Sequence, residues 1–219
     1  MKRVVVLISG QGRNLQALIE AQRRGVLGVQ IAAVISNRAD AQGLERARDA
    51  KLPVEVVSHA AYAERAVFDE ALAQAIEQYK PDIIVMAGFM RVVGDAFIGR
   101  FRGRMLNIHP SLLPKYPGLK THQRALEAGD AEHGATVHFV TEELDGGPLI
   151  IQGRLSLKPQ DDVQSLAERV MQDIELKIYP QALAWLARGL LRLHENTVLF
   201  RGKALKSPLG MQDLEEEFR

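Results

Sequence analysis

Residues 4–19 read Val-Val-Val-Leu-Ile-Ser-Gly-Gln-Gly-Arg-Asn-Leu-Gln-Ala-Leu-Ile. Val4 to Ile8 is an unbroken apolar run bounded by Ser9 and Gly10. Such a run, with no polar alternation, fits a strand buried on both faces of a parallel sheet. The turn Gly10-Gln11-Gly12-Arg13-Asn14 follows, and Leu15, Leu18 and Ile19 then recur at helical spacing. A strand, a glycine-rich turn and a helix start make an anion site, because backbone N–H groups and the positive end of the helix dipole converge there. The third glycine of the dinucleotide fingerprint is missing, and no Gly-Lys-Ser/Thr follows. A single phosphate is the natural ligand; the plainer reading is a tight turn that needs glycine only for its positive φ.

The alternation continues outward from this unit. Residues 31–35 and 53–57 read as strands, 41–51 as a helix, and 83–86 as a fourth buried strand. Between the third and fourth strands, residues 61–79 form a long amphipathic pattern with Phe68, Leu72, Ile76 and Tyr79 on one stripe. Strands alternating with helices predict an α/β fold with a doubly wound, mostly parallel sheet. Ligands of such sheets sit beyond the carboxyl ends of the strands. Three segments fall on that edge: the glycine-rich turn, Gly88-Phe89-Met90-Arg91 after the fourth strand, and the end of a fifth strand over 103–108. Met90, Val92 and Val93 suit an apolar slot for a flat ring, or the core.

The fifth strand runs into residues 107–118, Asn-Ile-His-Pro-Ser-Leu-Leu-Pro-Lys-Tyr-Pro-Gly. Alternation puts Asn107 and His109 on one face and Ile108 on the other. Pro110, Pro114 and Pro117 exclude helix or central strand, so the segment is a stiff loop carrying a carboxamide and an imidazole. Those groups suit acyl transfer: an amide N–H for an oxygen that becomes negative, and a ring that delivers a proton near neutral pH. Asp145 precedes Gly146, Gly147 and Pro148 in a second turn. A carboxylate there would orient a nearby imidazole and favour its charged form. A polar strand edge without a site is the competing reading of Asn107 and His109.

Residues 121–129 predict a helix with Thr121 as its cap and Gly129 as its stop. A strand over 133–141 carries Thr136 and His138, the latter read as structural rather than as a second proton carrier. A further strand over 149–157 returns antiparallel to it. Asp161 or Asp162 caps a helix reaching Arg188, with Pro180 kinking it or starting a new turn, and Gln172 and Glu175 share one of its faces. A hairpin around Asn196 follows, and the tail after Lys203 reads as frayed surface.

Composition bounds the function. The chain has 219 residues, 47% hydrophobic and 25% charged, with a formal net charge of +1 and no cysteine. That suits one α/β domain, gives no field calling for nucleic acid or an acidic membrane, and excludes disulfides and thiol chemistry. No apolar run reaches membrane-spanning length, so a cytoplasmic protein is the default expectation. The histidines lack a metal-ligand spacing, so no metal is expected.

The segments 8–16 (ISGQGRNLQ), 87–91 (AGFMR), 107–118 and 138–148 (HFVTEELDGGP) together resemble the folate-dependent phosphoribosylglycinamide formyltransferase family, from about residue 3 to about residue 200. The resemblance implies formyl transfer from 10-formyltetrahydrofolate to the amine of phosphoribosylglycinamide in purine synthesis, with these small molecules as the only partners and a homodimer allowed. It implies one domain over 1–203, with a phosphate-binding half (1–100), a catalytic and folate-binding half (101–203) and a surface tail (204–219). It assigns Asn107, His109 and Asp145 to catalysis. It assigns Gly12, Arg13, Asn14, Gly88, Met90, Pro110, Gln172 and Glu175 to the acceptor. The folate would meet Arg65, Met90, Arg91, Val92, Val93, Asn107, Thr141, Glu142, Glu143, Leu144 and Asp145. Arg13 stands where the family usually has serine, trading a hydroxyl for a guanidinium. The resemblance also implies a cis Leu113–Pro114 bond. Two relatives with similar segments, methionyl-tRNA formyltransferase and formyltetrahydrofolate hydrolase, are disfavoured by length, charge and the early phosphate loop. A non-catalytic sensor on the same fold would have no need of Asn107 and His109.

Overall fold

The computed structural model describes residues 1–219. Its main strands are β1 (Lys2–Ile8), β2 (Val29–Ser36), β3 (Val54–Val56), β4 (Ile83–Met86), β5 (Met105–His109), β6 (Glu132–Phe139) and β7 (Leu149–Ser156). They form one seven-stranded sheet in the order β3-β2-β1-β4-β5-β6-β7. Strands β1–β2, β1–β4, β2–β3 and β4–β5 pair parallel, and β6–β7 antiparallel. The doubly wound, mostly parallel α/β fold read from the sequence is the fold observed. Strand order reverses between β1 and β4, and the segments leaving those two strands are the glycine-rich turn and Gly88–Arg91, the usual position for ligands in open sheets.

By packing, the chain divides into Met1–Asn107 and Ile108–Arg219. The first unit holds α1 (Arg13–Arg23), α2 (Gly43–Asp49), α3 (Arg65–Gln78) and α4 (Asp95–Arg100). Val4 to Ile8 are wholly buried, as an unbroken apolar run demands, and Leu15, Leu18, Leu44, Phe68, Leu72 and Ile76 supply the buried helix stripes. α3 begins at Arg65 rather than at 61. His59 donates its main-chain N–H and its Nδ1–H to the Asn37 carbonyl, at 3.3 and 2.9 Å, which holds residues 59–61 in a separate 3₁₀ turn. α4 gave no periodic signal, being only six residues long.

The second unit holds α5 (Thr121–Glu127), α6 (Val163–Val170) and α7 (Leu176–Ala187), with a small antiparallel sheet of β8 (Leu191–His194), β9 (Thr197–Phe200) and β10 (Lys203–Ala204). Trp185, Tyr179 and Phe139 are its largest fully buried side chains. Asp162 is the cap of α6: it accepts from Ser165 N–H at 2.7 Å, and Ser165 Oγ accepts from Asp162 N–H at 2.9 Å. Three expectations need correcting. Thr121 is not a cap, because Lys120, left-handed at φ 57°, takes that place and Thr121 Oγ1 lies buried without a partner. The long helix to Arg188 is broken by a π turn at Met171–Glu175, and Pro180 sits inside α7 beyond it. The tail is docked rather than frayed: Leu214 and Phe218 are buried, and Glu215 joins Trp185 Nε1–H (3.1 Å) and Arg188 (2.5 Å). The acidic run at 215–217 hid these two apolar anchors, spaced one helical turn apart. Leu209 also pairs with β7, donating to the Ile150 carbonyl and accepting from Gln152 N–H, both at 2.9 Å. No helix is long and apolar enough to cross a membrane.

Candidate active site

In the first unit the turn after β1 is shaped by a contact that only glycine permits. Gly12, at φ 72°, caps α1, and a Cβ there would lie 2.6 Å from Gly43 Cα. Gly43 N–H donates to the Gly10 carbonyl at 2.9 Å, and Arg46 Nε–H to the Gln11 carbonyl at 2.8 Å. The start of α2 therefore clamps the turn, a support the sequence reading missed; the glycine opening the helix after the second strand was its one signal. Arg13 is half-buried as the first residue of α1, and Asn14 is buried.

Gly88, at φ 74°, follows β4. Beyond it Met90 and Val92 are 71% and 52% exposed, so they are not core, whereas Val93 is buried. The Arg91 guanidinium stacks 4.9 Å over the Phe68 ring, with its Nε buried and unpartnered. Asp69, next to Phe68, accepts from Gly94 N–H at 2.7 Å, and the Arg65 guanidinium borders the same glycine. Arg65 and Arg91 are thus gathered around one segment of α3. Asn107 ends this unit in register with Met86 on β4.

The second unit gathers the titratable groups. His109, at the end of β5, and Asp145 have side chains 8% and 9% exposed, with Nδ1 and Oδ2 3.4 Å apart. His109 Nε2 lies 2.8 Å from the Tyr116 carbonyl. Both neighbours are acceptors, so a ring carrying protons on both nitrogens donates to both. Asp145 Oδ2 also accepts from Gly118 N–H at 2.8 Å. The aspartate sits at φ 52°, a conformation its short polar side chain tolerates. Its turn fits tightly against the end of β6: a Cβ at Gly147 would stand 1.8 Å from the Phe139 carbonyl oxygen.

His138 completes the group, with Nε2 3.9 Å from Asp145 Oδ1. Burial pushes its pKa down to about 4, so the ring is neutral at physiological pH, and Nδ1–H donates to the Phe139 carbonyl at 2.9 Å. It therefore faces the carboxylate with an unprotonated nitrogen and offers no second acid.

The proline-rich loop is held by Thr136, which the sequence places on a strand without a role, and by Gln152, which the sequence does not single out. Thr136 Oγ donates to the Ser111 carbonyl at 2.7 Å and accepts from Leu113 N–H at 3.2 Å. Gln152 Nε2 donates to the Leu113 carbonyl at 2.7 Å. Leu113–Pro114 is cis, as the resemblance implied. The mid-strand positions of Thr136 on β6 and Gln152 on β7, where most neighbours are apolar, were the only signal. Of the other expected residues in this unit, Pro110 and Thr141 are half-buried, while Glu142, Glu143 and Leu144 are exposed. Gln172 and Glu175 lie in the π turn, a local widening often found at functional sites. Glu175 is buried, whereas Gln172 is exposed.

A buried imidazole–carboxylate pair at a parallel strand end, with a carboxamide two residues before it in sequence, is chemistry that suits acyl transfer. Residues 2–183 match the formyl transferase family, and the chain belongs to it. Among its curated relatives, phosphoribosylglycinamide formyltransferase of Escherichia coli (strain K12) is 49% identical over 92% of this chain and 95% of its own. The protein of that name from Haemophilus influenzae is 46% identical over 94% and 96%. A solved phosphoribosylglycinamide formyltransferase from Coxiella burnetii superposes with a TM-score of 0.91 at 52% identity, over 95% of this chain and 98% of that one.

Proposed function

We propose that the chain transfers the formyl group of 10-formyltetrahydrofolate to the amine of phosphoribosylglycinamide. The observation that carries this reading is the buried His109–Asp145 pair, on a chain whose near full-length relatives bear that enzyme's name. The amine attacks the formyl carbon, and the carbonyl oxygen becomes a tetrahedral oxyanion. Asn107 donates to that oxygen, a contribution of about 3–4 kcal/mol to the barrier. His109 stabilises it further and gives its proton to the folate nitrogen, which leaves as an amine, and the proton released by the attacking amine restores the imidazolium. Asp145, fixed by Gly118 N–H, orients the imidazole. His138 stays neutral and fills the space behind the carboxylate.

For the acceptor, the Gly10–Gly12 turn and the start of α1 offer backbone donors to a phosphate, and Arg13 adds a charge-assisted contact. Gln172 and Glu175 take its glycinamide end. The folate fits the groups around Met90: the exposed side chains of Met90 and Val92 suit its flat ring, and the guanidinium groups of Arg65 and Arg91 suit its carboxylates. No step requires a metal.

An assay of tetrahydrofolate release tests the reading, with phosphoribosylglycinamide and water compared as acceptors. Release should depend on the phosphorylated amine. Equal release with water alone would make the chain a hydrolase instead.

A further inference from the structure

One buried hydroxyl in the first unit is joined to both substrate-facing segments. Ser9, the residue between β1 and the glycine-rich turn, is 5% exposed. Its Oγ accepts from Met90 N–H at 2.7 Å and donates to Asn37 Oδ1 at 2.6 Å. Its own N–H donates to the Gly88 carbonyl at 3.2 Å. A serine hydroxyl has one proton; since Met90 N–H can only donate, that proton must go to Asn37. The direction of every bond in the chain is thereby set. Asn37, 2% exposed at the end of β2, is held in turn through its carbonyl by His59 Nδ1–H at 2.9 Å.

We propose that Ser9 is a positioning residue that fixes the phosphate-binding turn and the Gly88–Arg91 segment to each other, so that the acceptor and donor subsites keep their shape together. The proposal rests on the functional reading above, which assigns those two segments to the two substrates. The physical reason is the lack of an alternative partner. With the hydroxyl gone, the buried Asn37 Oδ1 keeps its desolvation cost and Met90 N–H loses its side-chain anchor. Met90 lies in an exposed segment with no other side-chain anchor at its N–H, and a freed main chain there would sample conformations that bind neither substrate. Fractional occupancy of the competent shape weakens apparent affinity by that fraction.

The test compares wild type, Ser9→Ala, Ser9→Thr and Asn37→Ala in the formyl-transfer assay, with both KM values, kcat and the thermal midpoint measured. Ser9→Ala should raise both KM values about tenfold, one hydrogen bond's worth, with kcat within about threefold. Ser9→Thr, which keeps the hydroxyl, should return both toward wild type. Asn37→Ala, which leaves the hydroxyl in place but without its acceptor, should raise both by a smaller factor. A lowered midpoint with unchanged KM values would overturn the proposal, because partial unfolding removes active molecules without altering the affinity of those that remain. A rise confined to one substrate would also overturn it. Failure of the wild type itself to transfer formyl would instead remove the functional reading, and the proposal with it.

Discussion

The two glycine- and proline-framed turns at the sheet edge are built on opposite principles. The first, Gly10–Gly12, is made of main chain. Its shape comes from a glycine that touches another glycine and from donors on α2 that grip its carbonyls. The second, His109–Gly118, is made of side chains. Prolines stiffen it, Thr136 and Gln152 hold it from β6 and β7, and it presents a buried ring to a buried carboxylate. A main-chain site can bind an anion whatever the pH, because its donors do not titrate. A side-chain site can move a proton, but it must be buried, paired and oriented to do so. Binding and chemistry should therefore fail separately when the two turns are altered.

The largest effect is expected from Asp145→Asn. It keeps the shape of the turn but removes the charge facing His109, so kcat should fall by about 10²–10³ with the thermal midpoint nearly unchanged. Turnover within a few-fold of wild type would break the contrast between the two turns. Gly12→Val comes next. The added side chain collides with Gly43 at a positive φ, so the KM for the phosphorylated acceptor should rise by about a hundredfold while the folate KM stays put. An unchanged acceptor KM would take the phosphate away from this turn.

Arg46→Ala sharpens the comparison by removing a brace without touching the turn itself. Losing one donor to the Gln11 carbonyl should raise the acceptor KM roughly three- to tenfold and leave kcat alone. The smallest effect concerns acid. His122 and His133 lie 3.1 Å apart, ring nitrogen to ring nitrogen, and burial lowers both pKa values, that of His122 to about 4. Their folded pKa values lie below the unfolded value of about 6.5, so the unfolded chain takes up more protons between pH 6.5 and 4. Stability is complete above that window and is lost as pH falls through it. A midpoint lower by a few degrees at pH 4.5 than at pH 7 is expected, with a shallower slope in His122→Gln; a flat profile in the wild type would contradict it.

How far the sequence reached follows the same division. Unbroken apolar runs such as 4–8 and 83–86, bounded by turn residues, fit central strands, and prolines and glycines mark their turns without help from the rest of the chain. The glycine-rich turn after β1 and the proline-framed loop after His109 were legible as structure for that reason. What stayed hidden depends on partners distant in sequence. Arg46, Thr136 and Gln152 look like ordinary surface or strand residues until the fold sets them against a carbonyl. The late start of α3 needed Asn37, and the π turn at Met171–Glu175 leaves no mark on an apolar stripe that continues on either side. Glu215, read as part of a solvated acidic end, became legible only through Trp185.

The pairing of Leu209 with β7 has one more consequence. A terminal strand with open donors and acceptors is a template on which another molecule can add a strand of its own. Here a segment from the same polypeptide occupies part of that ladder, so the exposed rim of the sheet is capped from within and self-recruitment into larger assemblies is discouraged at that border.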